Sequence, residues 1–253
     1  GAGASSRPIF YRMNSDLTAP ISLGPWEWNV SNCSNIGVER GGNNRLAVYS
    51  GDFYVPFVVQ KDTSSAQETV YLLKTQVWTS TSPSITWAKS LDYPTTANAL
   101  RQGPVIADST GRIHSVNRVQ GPDPNPGLYI TTFDTSGNFQ SELIILGGSQ
   151  INHYTGLIDS NDDMYISIYS NTGSSYSRPS VIKIPSDYSS ISSGTYGDYT
   201  ITYNTSSTLT IDTPSVSLGT FFNNNDTTLN MSWGAGTDNS SSTSNISASV
   251  TSI

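Results

Sequence analysis

Three stretches of the chain share one pattern: residues 105–114, 129–140 and 156–165. In each, a β-branched or aromatic run reaches an Asp (Asp108, Asp134, Asp159), passes a few small polar residues, and resumes as a second such run. That order spells strand, turn and return strand, because an Asp side chain can accept the amides of its own turn. Repetition constrains the fold more than any single residue does. Successive hairpins of similar length build an array of small antiparallel sheets, a scaffold or binding surface before a reaction centre.

Reading outward from these turns gives a four-stranded unit. In the clearest copy the strands are residues 103–107, 113–119, 128–133 and 139–146, with the proline-rich loop 121–127 between the second and third. The next copy has strands at 154–158, 164–169 and 180–184, and a weak fourth between Tyr188 and Thr195. An earlier, more diverged copy runs through 35–39, a long strand 46–59 interrupted near Gly51-Asp52, then 69–77 and 85–91. A half copy precedes it, with strands at 8–13 and 21–23. None of these runs repeats every 3.6 residues, so the expectation is all-β.

From about Asp198 the pattern becomes a strict alternation of apolar residues with Ser or Thr, at 199–203, 208–211, 215–218 and 228–233. It reads either as a second small β domain or as extended strands awaiting partners. The expected organisation is a flexible segment 1–7, propeller-like repeats over 8–197 (about three and a half units), a β-rich region 198–233, and a loose tail 234–253 with a terminal strand. The small residues at positions 1–6 read as a processed end, an expression remnant or the edge of a longer chain.

Composition narrows the function. Charged residues are 12% of the chain, against about 25% in an average protein, and the formal net charge is -7. No basic run exists to hold a nucleic-acid backbone, and no apolar stretch is long enough for a membrane-spanning helix. The single cysteine, Cys33, cannot form an intrachain disulfide, and no histidine or cationic side chain adjoins it in sequence to activate it. No motif asks for a cofactor.

The candidate sites are carboxylates and aromatics. Asp108, Asp134 and Asp159, with Gly111 and Gly137, sit at matching turn positions and read as structural turn residues. Asp159, Asp162 and Asp163 form the densest acidic cluster and the best cation candidate, although their spacing does not match an EF-hand loop. His114 and His153 lack ligand-pair spacing and read as packing or inner-strand residues. Glu39 and Glu142 could serve glycosidic acid–base chemistry only if folding brought a second carboxylate close. Trp26, Trp28, Tyr54 and Trp78 belong to an aromatic-rich first hundred residues and are candidates for an interface or for stacking on sugars, the interface being favoured.

The strand-four sequence Trp87-Ala88-Lys89-Ser90-Leu91, followed by the Gly-led strand Gly103–Ala107 and the turn Asp108-Ser109-Thr110-Gly111-Arg112-Ile113-His114, resembles the β-propeller repeats of bacterial surface proteins and of tailed-phage virion proteins. The similarity covers roughly residues 8–196, and the Ser/Thr-alternating end resembles the end regions of phage tail appendage proteins. The resemblance implies four-stranded blades whose polar turns close the first strand pair and whose strand-four Trp packs between blades. It also implies a structural protein of a virion, in a tail or surface appendage, partnered by other virion proteins or by copies of itself, with surface glycan as a further ligand. A secreted or surface carbohydrate-binding module and a glycan-processing enzyme are the alternatives. The third unit departs from the pattern, with Asn161-Asp162-Asp163 in place of Ser/Thr-Gly and no Trp on its fourth strand. Three and a half units fall short of a ring. More chain, completion by the C-terminal strands, or pooling of blades between subunits would each resolve that.

Overall fold

A computed structural model describes residues 9–10, 26–30, 35–37, 46–60, 68–76, 84–94, 99–120, 127–147, 150–171, 177–197 and 199–220. Among them the only helix is a single 3-10 turn, and every strand pairing is antiparallel. The expected strand at 21–23, the turn at 40–44 and the strand at 228–233 lie outside the described residues.

The described strands form four open sheets. The first begins with β1 (Ile9–Phe10) and β2 (Trp26–Val30). The second contains β3 (Asn35–Gly37), β4 (Ala47–Tyr49), β5 (Asp52–Gln60), β6 (Glu68–Gln76) and β7 (Ile85–Asp92). Its centre is the meander β4-β5-β6-β7, and β3 pairs with the far end of β5. The third is the meander of β8 (Ala99–Ala107), β9 (Ile113–Gln120), β10 (Gly127–Phe133) and β11 (Phe139–Gly147). The fourth has three strands, β12 (Gln150–Ile158), β13 (Met164–Asn171) and β14 (Ser177–Ile184).

The described part of the Ser/Thr-alternating region, residues 199–220, makes no sheet of its own. After the 3-10 turn Tyr188–Ser190 come β15 (Gly194–Tyr196), β16 (Tyr199–Asn204), β17 (Thr210–Asp212) and β18 (Val216–Thr220). β16 pairs with β11 of the third sheet, β17 with β7 of the second, and β18 with β2 of the first. One short segment therefore laces three sheets at their edges.

Period-two alternation explains how the sheets pack. Tyr54, Val70, Leu72 and Leu91 of the second sheet meet Leu100, Ile113, Tyr129 and Phe133 of the third in one core. The opposite face of the third sheet, with Val116, Leu128, Ile130, Leu143 and Ile145, meets Met164, Ile166, Ile168 and Ile184 of the fourth. Phe57, Tyr71 and Leu73, on the second sheet's other face, pack with Val216 at the start of β18. The third sheet is thus covered on both faces, and all seven residues of β10 are buried. The fourth sheet is covered on one face, and Leu157 and Val181 stand exposed on the other, at 53% and 67%.

Two expected strands are corrected. The run 46–59 is a hairpin: Ser50 and Gly51 both take positive φ, 49° and 85°, the backbone of a two-residue type I′ turn, so Tyr49 pairs with Asp52. The weak fourth strand at 188–195 is absent from the fourth sheet. Tyr188 turns inward and is buried there, and β15 pairs with β16 instead.

The turns also set the spacing between sheets. Gly137 has φ of +82°, and a Cβ there would lie 2.9 Å from the Trp87 ring of the neighbouring sheet. Gly197 has φ of +62° with nothing within 4 Å. Gly137→Ala should therefore destabilise the protein by about 2–3 kcal/mol and Gly197→Ala by about 1 kcal/mol, read from urea denaturation of the two variants. Equal losses would show that the Trp87 contact contributes nothing.

Candidate functional site

The three Asp turns are built alike. In each the Asp carbonyl accepts the amide three residues on, from Gly111, Gly137 or Asp162, and the Asp amide donates to the carbonyl four residues on. One carboxylate oxygen accepts two further turn amides: from Thr110 and Arg112 at Asp108, from Ser136 and Asn138 at Asp134, and from Asn161 and Asp163 at Asp159, all between 2.8 and 3.0 Å. The fourth turn residue sits in the left-handed region in all three, as Gly111, Gly137 and, at φ 63°, Asp162. These are type I turns closed by a bulge, and Asp108, Gly111, Asp134, Gly137 and Asp159 are the residues that make them.

Asp108 has a second role because it is buried. Its other oxygen accepts the Arg112 Nε at 2.5 Å and lies 3.5 Å from His114 Nε2. Burial alone would push this carboxyl up, but bonds from His114, Thr110 and Arg112 outweigh it and hold the group far below the usual carboxylate range. His114 Nδ1 lies 3.0 Å from Thr132 Oγ1, directly across the β9–β10 ladder. Thr132 is also hydrogen-bonded to the Tyr188 hydroxyl, which lies 3.3 Å from Ser141 Oγ.

The order carboxylate, imidazole, hydroxyl is that of a nucleophile relay. Here no substrate can reach it, since Asp108, His114 and Thr132 are each at most 2% exposed and Tyr188 covers the hydroxyl. What the arrangement does is brace the third sheet against the segment that follows the fourth, and Arg112 extends the brace by donating to the Ser186 carbonyl at 2.8 Å.

Other turn groups make similar ties. Trp87 Nε1 and Lys74 Nζ, from the second sheet, both donate to the Thr135 carbonyl at 3.0 Å, and the Trp87 ring lies 6.4 Å from Phe133. Trp87 thus packs between the second and third sheets.

The acidic cluster does not converge. Asp159 holds its own turn and the Tyr165 hydroxyl, Asp162 accepts the Ser109 amide and hydroxyl of the neighbouring turn, and Asp163 pairs with Lys183 at 2.7 Å and with the Ser186 amide. Each carboxylate faces a different donor, so the expected cation site is not formed, and among the described residues no group of three His, Cys, Asp or Glu could hold a metal ion. Tyr54 is fully buried in the core and offers no stacking face. Trp26 and Trp28 lie on β2, where Trp26 is paired on both sides, with Phe10 and Thr220, and Trp28 with Leu218. Trp78, Glu39 and Cys33 lie outside the described residues, and His153 lies on β12. Glu142 is fully buried and, among the described residues, meets no second carboxylate; it accepts bonds from Ser207 and Thr208.

No family model, curated protein or solved structure matches the chain.

Thr132 and Ser141 carry no sequence signal of their own beyond their place opposite one another in the register, and Tyr188 lies at the start of the stretch where the sequence predicts a weak strand. Burial lowers the His114 imidazole below its ordinary value, against the pull of Asp108. The unfolded chain therefore takes up that proton first. The stability is present above the unfolded value, about 6.5, and is lost as pH falls toward the folded one. Asp108 adds a further loss below about pH 4. The urea midpoint should fall between pH 7 and pH 5, and His114→Gln should flatten that limb relative to the parent. A midpoint that rose on acidification would show the buried ring to be cationic.

Proposed function

We propose that this chain is a structural component of a tailed-phage particle, a propeller-like array of blades in a tail or surface appendage that works by assembly and in contact with the host surface. The observation that carries the reading is the unfinished end of the sheet stack. Among the described residues the second and third sheets each have a four-stranded meander extended at its outer edge, by β17 in the second and by β16 and β15 in the third, whereas the fourth has three strands and presents Leu157 and Val181 outward. An open edge beside exposed apolar residues favours a permanent neighbour. The polar groups of the turns add weight, because they tie sheet to sheet and leave no convergent pair for chemistry among the described residues.

Analytical ultracentrifugation over a concentration series, with Val181→Glu as comparison, tests the assembly reading. The parent should associate, and the variant should weaken association about tenfold or more. Gold-labelled antibody against the chain should decorate the tail or its appendages in micrographs of phage particles. A monomer at all concentrations together with undecorated particles would sink the proposal.

A further inference from the structure

The two faces of the third sheet settle their polar side chains differently. On the face toward the fourth sheet, His114, Thr132, Ser141 and Tyr188 bond to one another. On the face toward the second sheet the ladder sets a polar row: Gln102 opposite Asn117, Ser115 opposite Thr131, and Thr131 opposite Glu142. Ser115 and Asn117 share the strand face of Ile113 and Val119, and Thr131 shares that of Tyr129 and Phe133. Those four apolar residues belong to the core made with the second sheet, so the row points into that core. All of its members are at most 1% exposed.

Two oxygens of the row, Asn117 Oδ1 and Thr131 Oγ1, reach no protein partner among the described residues. The Asn117 amide is oriented by its nitrogen, which donates to the Ser115 carbonyl at 3.2 Å and to Ser115 Oγ at 3.1 Å. Exchanging its ends would set oxygen against that carbonyl, so the orphan end is an acceptor. Glu142, beside Thr131, is served by Ser207 and Thr208 instead. Asn117 and Thr131 are diagonal neighbours on β9 and β10, and Ser115 adjoins both. Diagonal Cβ atoms lie about 7 Å apart, too far for a direct bond between short side chains and within reach of one bridging molecule.

We propose that Asn117 Oδ1 and Thr131 Oγ1 are the ligands of an ordered internal water, sealed between the second and third sheets. An unpaired buried oxygen is costly, and native proteins keep few of them. A water offers two donors and two acceptors and needs two to four polar partners, which Asn117, Thr131 and the Ser115 hydroxyl supply. A calcium ion would need six to eight oxygens, and the one carboxylate of the row already accepts three bonds. Water is therefore the occupant that the row can satisfy. It is held whether or not copies of the chain associate.

Oxygen-17 relaxation dispersion of water in solutions of the full chain reads this site. The parent should show a long-lived bound-water signal that persists in Thr131→Ser, which keeps the hydroxyl, and falls in Thr131→Val, which keeps the shape and removes it. Urea denaturation of the same variants supplies a sign. Thr131 Oγ1 has no described protein bond to lose, so Thr131→Val should lower the folding equilibrium constant about fivefold or more through loss of the water. An oxygen buried dry would make the same change neutral or stabilising. Either an unchanged bound-water signal in Thr131→Val or an unchanged or raised urea midpoint overturns the proposal. A Thr131-dependent signal that sodium or calcium chloride abolishes, and choline chloride at equal ionic strength leaves intact, assigns the row to a cation and overturns it as well.

Discussion

A carboxylate that accepts the amides of its own turn is the constraint on which the structure depends. A β-strand has two faces and a period of two, so a slip of one residue would send every core side chain to the wrong side. Asp108, Asp134 and Asp159 prevent that slip by defining which residues form the turn and which begin the return strand. The demand is greatest in the third sheet, which packs against a neighbour on each face and has no solvent side to absorb an error. In β10, Leu128 and Ile130 serve one core while Tyr129 and Phe133 serve the other.

The same turns act between sheets. Asp162 occupies a backbone region that suits glycine, at a cost of about 1 kcal/mol, and its carboxylate in return reaches Ser109 of the Asp108 turn. Gly111 and Gly137 keep the glycine and accept an aromatic ring instead, Tyr49 against the first and Trp87 against the second. The departure from the repeat pattern in the third unit is therefore a different solution to one task, a bond where its neighbours use ring contact.

The hairpins were legible because their signals are local. An Asp, a small turn and flanking β-branched residues lie within ten positions of one another, and the strands of the third sheet fall close to where the sequence places them. The Ser50-Gly51 reversal was less visible because Ser rarely holds a positive φ, so the surrounding residues read as one long strand with an interruption near Gly51-Asp52 rather than as a hairpin. The destinations of β16, β17 and β18 were not legible at all. Their alternation says that they pair, but the choice of edge is decided by distant residues such as Glu142, whose partners lie more than sixty positions away. The acidic cluster misled for a related reason: closeness in sequence says nothing about direction, and Asp159, Asp162 and Asp163 point to three different donors.

The pairing of Val30 with Val216 ties one of the earliest described strands to the last. Meanders such as β8-β9-β10-β11 need only short loops to close and can form while the chain is still being made. The first sheet cannot be completed until nearly the whole described chain has left the ribosome. A truncation within the last described strands would thus leave three sheets of normal build with unpaired edges, and the fate of newly made chains would turn on whether β16, β17 and β18 find their own sheets before those edges meet another chain.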